Sequence, residues 1–263
     1  TGVQTCALPI MAYISLNYHS PTIGMHQNLT VILPEDQSFF NSDTTVKPLK
    51  TLMLLHGLSS DETTYMRYTS IERYANEHKL AVIMPNVDHS AYANMAYGHS
   101  YYDYILEVYD YVHQIFPLSK KRDDNFIAGH SMGGYGTIKF ALTQGDKFAK
   151  AVPLSAVFEA QNLMDLEWND FSKEAIIGNL SSVKGTEHDP YYLLDKAVAE
   201  DKQIPKLLIM CGKQDFLYQD NLDFIDYLSR INVPYQFEDG PGDHDYAYWD
   251  QAIKRAITWM VND

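Results

Sequence analysis

Apolar residues along this chain follow two alternating patterns. Short runs without alternation, such as Thr51-Leu52-Met53-Leu54-Leu55, mark strands buried on both faces. Strands are predicted at residues 12–18, 25–33, 50–55, 80–85, 125–128, 151–155, 206–210 and 234–238. Longer stretches with apolar groups at helical spacing lie between them. Ser59 and Glu62 fit a capping box that opens a helix running towards His78. Residues 101–116 form a helix that stops at Pro117, its buried face set by Tyr104, Val108 and Tyr111; further helices are predicted at 133–144, 217–231 and 246–261. Alternating β and α elements predict an α/β fold, a mostly parallel doubly wound sheet with helices on both faces and right-handed crossovers. The first two strands lack an intervening helix, which predicts an antiparallel hairpin at that edge.

One stretch breaks the alternation. About fifty residues separate the strands at 151 and 206, far more than one crossover needs. They contain helical patterns at 162–177, closed by Gly178, and at 191–200. This segment, about 157–204, reads as an insertion over the carboxyl ends of the strands, the alternative being a place elsewhere on the surface. Residues 11–263 then make a single domain with a small cap. Residues 1–10, which precede Met11 and show no periodicity or basic start, read as a non-native or disordered leader of the kind translated from adapter sequence in metagenomic reading frames.

Composition narrows the function. With 46% hydrophobic and 21% charged residues among 263, the chain has the make-up of a globular protein. Its net charge of −14 repels phosphate backbones and anionic membranes, so neither nucleic acid nor a membrane is expected as a partner. No apolar run approaches the length of a membrane span. Two cysteines, Cys6 and Cys211, do not make a disulfide framework, and Cys211 sits in the apolar run Leu207-Leu208-Ile209-Met210 as a buried thiol.

The strongest chemical signal is Gly129-His130-Ser131-Met132-Gly133, a G-x-S-x-G between a strand and a helix. Chance alone would place that pentapeptide in about one chain in ten of this length, so the strand–turn–helix setting carries the weight. The glycines permit a turn too sharp for neighbours with a Cβ. That turn lifts the serine oxygen beside a helix N-terminus able to hold an oxyanion. A serine hydroxyl needs a base, and only His188 and His244 follow it. In the Ser–acid–His order of alpha/beta-hydrolases, His244, in the loop before the last helix, is the expected base; His188 lies in the insertion with no strand end to place it. The acid should leave the penultimate strand, which selects Asp215 from Cys211-Gly212-Lys213-Gln214-Asp215. Its rivals are Asp220 and Asp223 on a helix, and Asp243 and Asp245 beside His244. The backbone N–H groups of Met132 and Leu58, the latter in Leu55-His56-Gly57-Leu58-Ser59, are the expected oxyanion donors, with His56 buttressing that loop. No metal is expected, since Asp243-His244-Asp245 lacks a second histidine at ligand spacing. A tyrosine cluster at Tyr92, Tyr97, Tyr101, Tyr102 and Tyr104 could line a sugar- or aryl-binding cleft, or pack in the core or an interface.

Leu55-His56-Gly57-Leu58-Ser59, Ile71-Glu72-Arg73-Tyr74, Asn94-Met95-Ala96-Tyr97-Gly98, Gly129-His130-Ser131-Met132-Gly133-Gly134-Tyr135-Gly136 and Asp243-His244-Asp245 together resemble the tributyrin esterase branch of the esterase D family, from about Tyr13 to the last residues. The resemblance implies an alpha/beta-hydrolase fold and a cofactor-free, cytosolic serine carboxylesterase. Its substrates would be short-chain acyl esters such as tributyrin and aryl acetates or butyrates, and it would be a homo-oligomer, dimer or tetramer. It places the nucleophile, acid and base on Ser131, Asp215 and His244, and the oxyanion donors on Leu58 and Met132. Relatives of other specificity are acetyl-xylan and feruloyl esterases acting on plant polysaccharide esters, and S-formylglutathione hydrolases. A binding module on the same fold would be expected to lack one of the three side chains, and all three are present. The chain departs from the family where Ser60-Asp61-Glu62 and Tyr65 stand after the oxyanion loop, and where Tyr246 stands in place of a frequent tryptophan two residues after the base.

Overall fold

The computed structural model describes residues 10–35, 46–167 and 171–262. Strands β1 (Ile10–Ser20) and β2 (Met25–Glu35) form the expected antiparallel hairpin. There follow β3 (Lys50–Leu55), α1 (Thr64–Tyr68), α2 (Ile71–Glu77), β4 (Leu80–Pro85), α3 (Tyr101–Ile115), β5 (Asn125–His130), α4 (Met132–Thr143) and β6 (Lys150–Leu154). Helices α5 (Ala160–Met164), α6 (Lys173–Ile177) and α7 (Pro190–Ala199) precede β7 (Lys206–Gly212), α8 (Tyr218–Arg230), β8 (Gln236–Gly240) and α9 (Tyr246–Asn262). The eight strands form one sheet in the order β1-β2-β4-β3-β5-β6-β7-β8. β2 pairs antiparallel with β4, and every pairing from β4 to β8 is parallel. This is the alpha/beta-hydrolase fold.

Strand alternation divides the core between the two faces. Met53, Ile83, Ile127 and Ile209 face α3, α4 and α8 through Val108, Ile138 and Phe224. Leu52, Leu54, Val82, Phe126 and Leu208 face α2 and α9 through Ile71, Tyr74, Ile253 and Ile257. Burial of both faces explains why these strands read as unbroken apolar runs.

Three expectations need adjustment. The helix expected from Ser59 to His78 is two short ones. Ser59 lies at φ 59° in a turn closed by the Ser60 N–H on Gly57 O (3.3 Å), so it cannot be a helix cap. The cap position of α1 is Thr63, whose side chain makes no capping bond; Asp61 ties down the turn before it, its Oδ1 accepting from the Thr63 amide (2.8 Å) and the Thr64 hydroxyl (3.0 Å). The chain then breaks at Thr69, in extended conformation between α1 and α2. The helix expected at 162–177 is also split, into α5 and α6, and its residues 168–170 lie outside the described ones. The last strand is shifted to Gln236–Gly240. Of the leader, Ile10 opens β1, and residues 1–9, Cys6 included, lie outside the described residues. No helix among the described residues is long and apolar enough to cross a membrane.

Asp250 of α9 fastens the second layer. Its carboxylate accepts from the Ser70 amide (2.8 Å) at the start of α2 and from the Tyr74 hydroxyl (3.0 and 3.1 Å). Hydrogen bonds to a charged group contribute about 1.5–3 kcal/mol. Asp250→Ala should therefore lower unfolding free energy in urea by about 2 kcal/mol; an unchanged midpoint would show that packing alone joins α2 to α9.

Candidate active site

Ser131 occupies the turn between β5 and α4 at φ 55°, ψ −120°, a conformation costly for a residue with a Cβ. The turn fits only because its neighbours lack side chains. A Cβ on Gly133 would lie 2.3 Å from Leu55 O, and one on Gly129 would lie 2.5 Å from Gly133 O. The first turn of α4 can therefore press against the end of β3. Met132, fully buried, opens α4, so its N–H is among those a helix leaves without an internal partner. Leu58, from the loop after β3, lines the same cavity as Ser131.

The imidazole of His244 joins this serine to Asp215. Nε2 stands 3.0 Å from Ser131 Oγ, and Nδ1 stands 2.9 and 3.0 Å from the two Asp215 oxygens. Burial would raise the Asp215 carboxyl. Hydrogen bonds from His244, Ser155 and the Leu217 amide (2.8 Å) outweigh it and hold the group below its usual range. Asp215 therefore stays ionised facing Nδ1, which fixes that nitrogen as the protonated one and leaves Nε2 to face the hydroxyl as acceptor.

The loops bearing Asp215 and His244 are joined directly. Lys213 and Gln214 donate their amides to Gly240 O (2.8 Å) and Gly242 O (3.0 Å), and Gly242 N–H donates to the Gln214 side chain (2.8 Å). The glycine that ends β7 serves this close approach. A Cβ on Gly212 would lie 2.4 Å from Gly242 O.

The rival residues have other work. Asp243 accepts its neighbour's amide at His244 N (2.8 Å), and Asp245 accepts from Tyr248 N (3.0 Å) in the first turn of α9. His188 is buried in the insertion, its carbonyl bonded to the Tyr135 hydroxyl (3.0 Å). His56 is also buried. Its Nε2 accepts from Val87 N (3.0 Å) and its Nδ1 lies 2.8 Å from Gly57 O. Burial lowers the His56 pKa to about 4, so it braces the loop as a neutral ring. Of the tyrosine cluster, Tyr92, Tyr101 and Tyr104 are buried in the core and Tyr97 is exposed; none lines the cavity at Ser131. Burial also pushes the Cys211 thiol up to about 12, leaving it inert near pH 7.

A cavity of about 520 Å³ opens on Ser131. Its walls are Leu58, Val157, Leu163, Leu166, Leu217 and Phe216, the last 73% exposed with its ring 4.5 Å from that of His244. The insertion contributes Glu159, Asn162, Leu163, Leu166 and Tyr191. Every charged lining residue is acidic: Glu159, Asp220 and Asp223.

Two supporting residues carried no sequence signal. Ser155, at φ 44° beyond β6, hydrogen-bonds Asp215 and accepts from Trp249 Nε1 (3.1 Å). The Trp249 ring packs 4.2 Å from His130 and 4.8 Å from His244. Only the fold brings these groups together.

Fold and site together define a carboxylic ester hydrolase of the alpha/beta-hydrolase class. More particularly, the chain belongs to the Esterase family (described as Putative esterase), whose sequence model matches residues 20–260. It is 28% identical over 263 residues to an acetyl esterase of Caldicellulosiruptor saccharolyticus, covering 95% of this chain and 98% of that one. The crystal structure of an S-formylglutathione hydrolase from Staphylococcus aureus is 95% identical, with a TM-score of 0.86 over 97% of this chain and 98% of the other. A ferulic acid esterase shares the fold at 20% identity, with a TM-score of 0.80 over 97% of this chain and 98% of that one.

The acidic wall generates a pH-dependent stability. Asp220 is half-buried, and although it accepts from the Phe158 and Glu159 amides (2.8–3.1 Å), burial and the charges of Glu159 and Asp223 push its carboxyl up to about 6. In the unfolded chain it ionises near 3.9. Between about pH 4 and pH 6 the folded state therefore binds more protons, and stability falls as pH rises. Asp220→Asn should flatten this part of the urea-midpoint profile relative to the wild type; an identical slope in both would contradict the assignment.

Proposed function

We propose that the chain is a serine carboxylesterase for short-chain acyl esters, with Ser131 as nucleophile, His244 as general base and acid, and Asp215 as its orienting partner. One observation carries this reading: a single imidazole stands 3.0 Å from Ser131 Oγ through Nε2 and 2.9 Å from a buried carboxylate through Nδ1. In the proposed reaction His244 takes the Ser131 proton as Oγ bonds to the ester carbonyl carbon. The carbonyl electron pair moves onto oxygen, which the Leu58 and Met132 amides receive. The tetrahedral intermediate collapses, the C–O bond to the alcohol breaks, and His244 Nε2–H protonates the departing oxygen. Water, activated by the same nitrogen, then attacks the acyl-enzyme and releases the carboxylic acid. No step requires a cofactor.

The substrate preference rests on the cavity and on the resemblance to tributyrin esterases. Apolar walls suit a short acyl chain. Exposed Phe216 beside His244 offers a flat surface to an aryl or alkyl alcohol, as in p-nitrophenyl esters and tributyrin. The residues at about 157–204 act as the cap of a single domain in this reading, and the enzyme is a cytoplasmic homo-oligomer. A second reading, hydrolysis of S-formylglutathione, is favoured by the 95% identity to the Staphylococcus aureus protein of that name. Acetyl or feruloyl groups of plant polysaccharides would use the same chemistry. Against the glutathione thioester stands the acidic lining, since S-acylglutathione, with two carboxylates and one ammonium, is a net anion and would enter a site already holding Glu159, Asp220 and Asp223.

Ser131→Ala should lower turnover of p-nitrophenyl acetate by about 10⁶ and abolish fluorophosphonate labelling; wild-type activity in this variant would overturn the nucleophile. Asp215→Asn should cost about 10⁴ by admitting the wrong tautomer. Comparing kcat/KM for p-nitrophenyl butyrate, tributyrin and S-formylglutathione selects the substrate. The neutral esters should lead, and a thioester advantage that persists at high salt would establish the second reading in place of the first.

A further inference from the structure

Behind the triad lies a set of hydrogen-bonding side chains that the proposed mechanism does not use. Tyr246, two residues after His244, reaches back beneath the site. Its hydroxyl is 3.4 Å from Ser60 Oγ and 3.3 Å from His130 Nε2. The other ring nitrogen of His130, Nδ1, is 2.9 Å from the Tyr65 hydroxyl. The four side chains form one series, Ser60–Tyr246–His130–Tyr65. Its members come from the end of the oxyanion loop, the first residue of α9 just after the base loop, the residue before Ser131, and α1. No other side chain described above touches the oxyanion loop, the base loop and the serine turn together.

The chemistry of the series is self-consistent. His130 is only 2% exposed, and burial, with His244 nearby, holds its pKa well below the usual value. A neutral imidazole has one donor and one acceptor, and each tyrosine hydroxyl can play either part, so the series closes in either direction without a missing proton. The rings around it leave Tyr246 little freedom. It stacks on Tyr68 at 5.0 Å and meets Tyr65, His130 and Trp249 edge-on at 6.2, 5.2 and 4.9 Å.

His130 also sets the height of the oxyanion loop. A Cβ on Gly57 would lie 2.6 Å from His130 Nε2, so the backbone just before Leu58 rests against the imidazole edge. Ser60, two residues beyond Leu58, is held to the same ring through Tyr246.

We infer that Tyr246, acting through His130 and Ser60, is a positioning residue that holds the Leu58 amide in register with Ser131 and His244. This inference rests on the serine-esterase reading. The oxyanion exists only around the transition state, so a displaced amide weakens transition-state binding and leaves ground-state binding intact. Loss of a whole oxyanion donor costs about 10²–10³ in turnover. Loosening one donor by removing a supporting hydroxyl should cost about 10-fold, given that roughly 1 Å of misplacement can cost 10²-fold.

The test measures Tyr246→Phe, Ser60→Ala and the double variant with p-nitrophenyl acetate, alongside their affinity for a trifluoromethyl ketone, whose adduct with Ser131 carries an oxyanion. The expected result is a kcat about 10-fold lower at nearly unchanged KM, a parallel 10-fold loss of ketone affinity, and a double variant no worse than the more damaged single one. Unchanged kcat, a change confined to KM, or unchanged ketone affinity in folded variants would overturn the inference. Should Tyr246→Phe fail to fold, Ser60→Ala decides the matter by the same two readouts. Fluorophosphonate labelling of wild-type Ser131 separates the two claims: without it the nucleophile reading itself fails, whereas with it a normal Tyr246→Phe enzyme removes only the positioning role.

Discussion

A serine forced to φ 55° between a buried strand and a buried helix is the constraint from which the site follows. Such backbone costs of order 1–3 kcal/mol and persists only where its surroundings over-determine it. Here the surroundings are Leu55 O, Gly129 and Gly133, packed too closely for any side chain, with β5 and its neighbours buried on both faces. The strain is compensated by the sheet and lifts Oγ above the strand ends, at the start of α4. A hydroxyl placed there meets a helix N-terminus on one side and an imidazole on the other without moving.

Placement alone would not suffice if the His244 ring could wander. His244 sits on a loop of glycine and proline, yet three hydrogen bonds join that loop to the one carrying Asp215. The ionised carboxylate then orients the ring from beneath, and Trp249 borders it from the side. Asp215 and His244 are therefore held together, set against the serine turn. The cavity above them is apolar in its walls and acidic in its charges, which shapes what can approach the hydroxyl.

Much of this was legible in the sequence because burial on both faces writes itself as uninterrupted apolar runs, and because Ser131, Asp215 and His244 each follow a strand end in the order that the fold expects. Asp215 could be separated from Asp220, Asp243 and Asp245 by that positional argument, and the structure brings Asp215, His244 and Ser131 together. Local hydrogen bonding was harder to foresee. Ser59 and Glu62 carry the spacing of a cap, but Ser59 lies in a left-handed turn and α1 begins only at Thr64, after a turn tied down by Asp61. Apolar spacing over 162–177 predicts one helix where the structure has α5 and α6, because that spacing does not register where a helix ends. Ser155, Trp249 and the Tyr246–His130 contacts left no signal, since each depends on segments far apart in the chain meeting in three dimensions.

The account stands most directly on covalent chemistry at one oxygen. Enzyme quenched in acid during turnover of p-nitrophenyl butyrate, digested and examined by mass spectrometry, should carry a butyryl group on the peptide containing Ser131, and on Ser131 within it. A butyryl group on another residue, or a burst of p-nitrophenol with Ser131 unmodified, would contradict it.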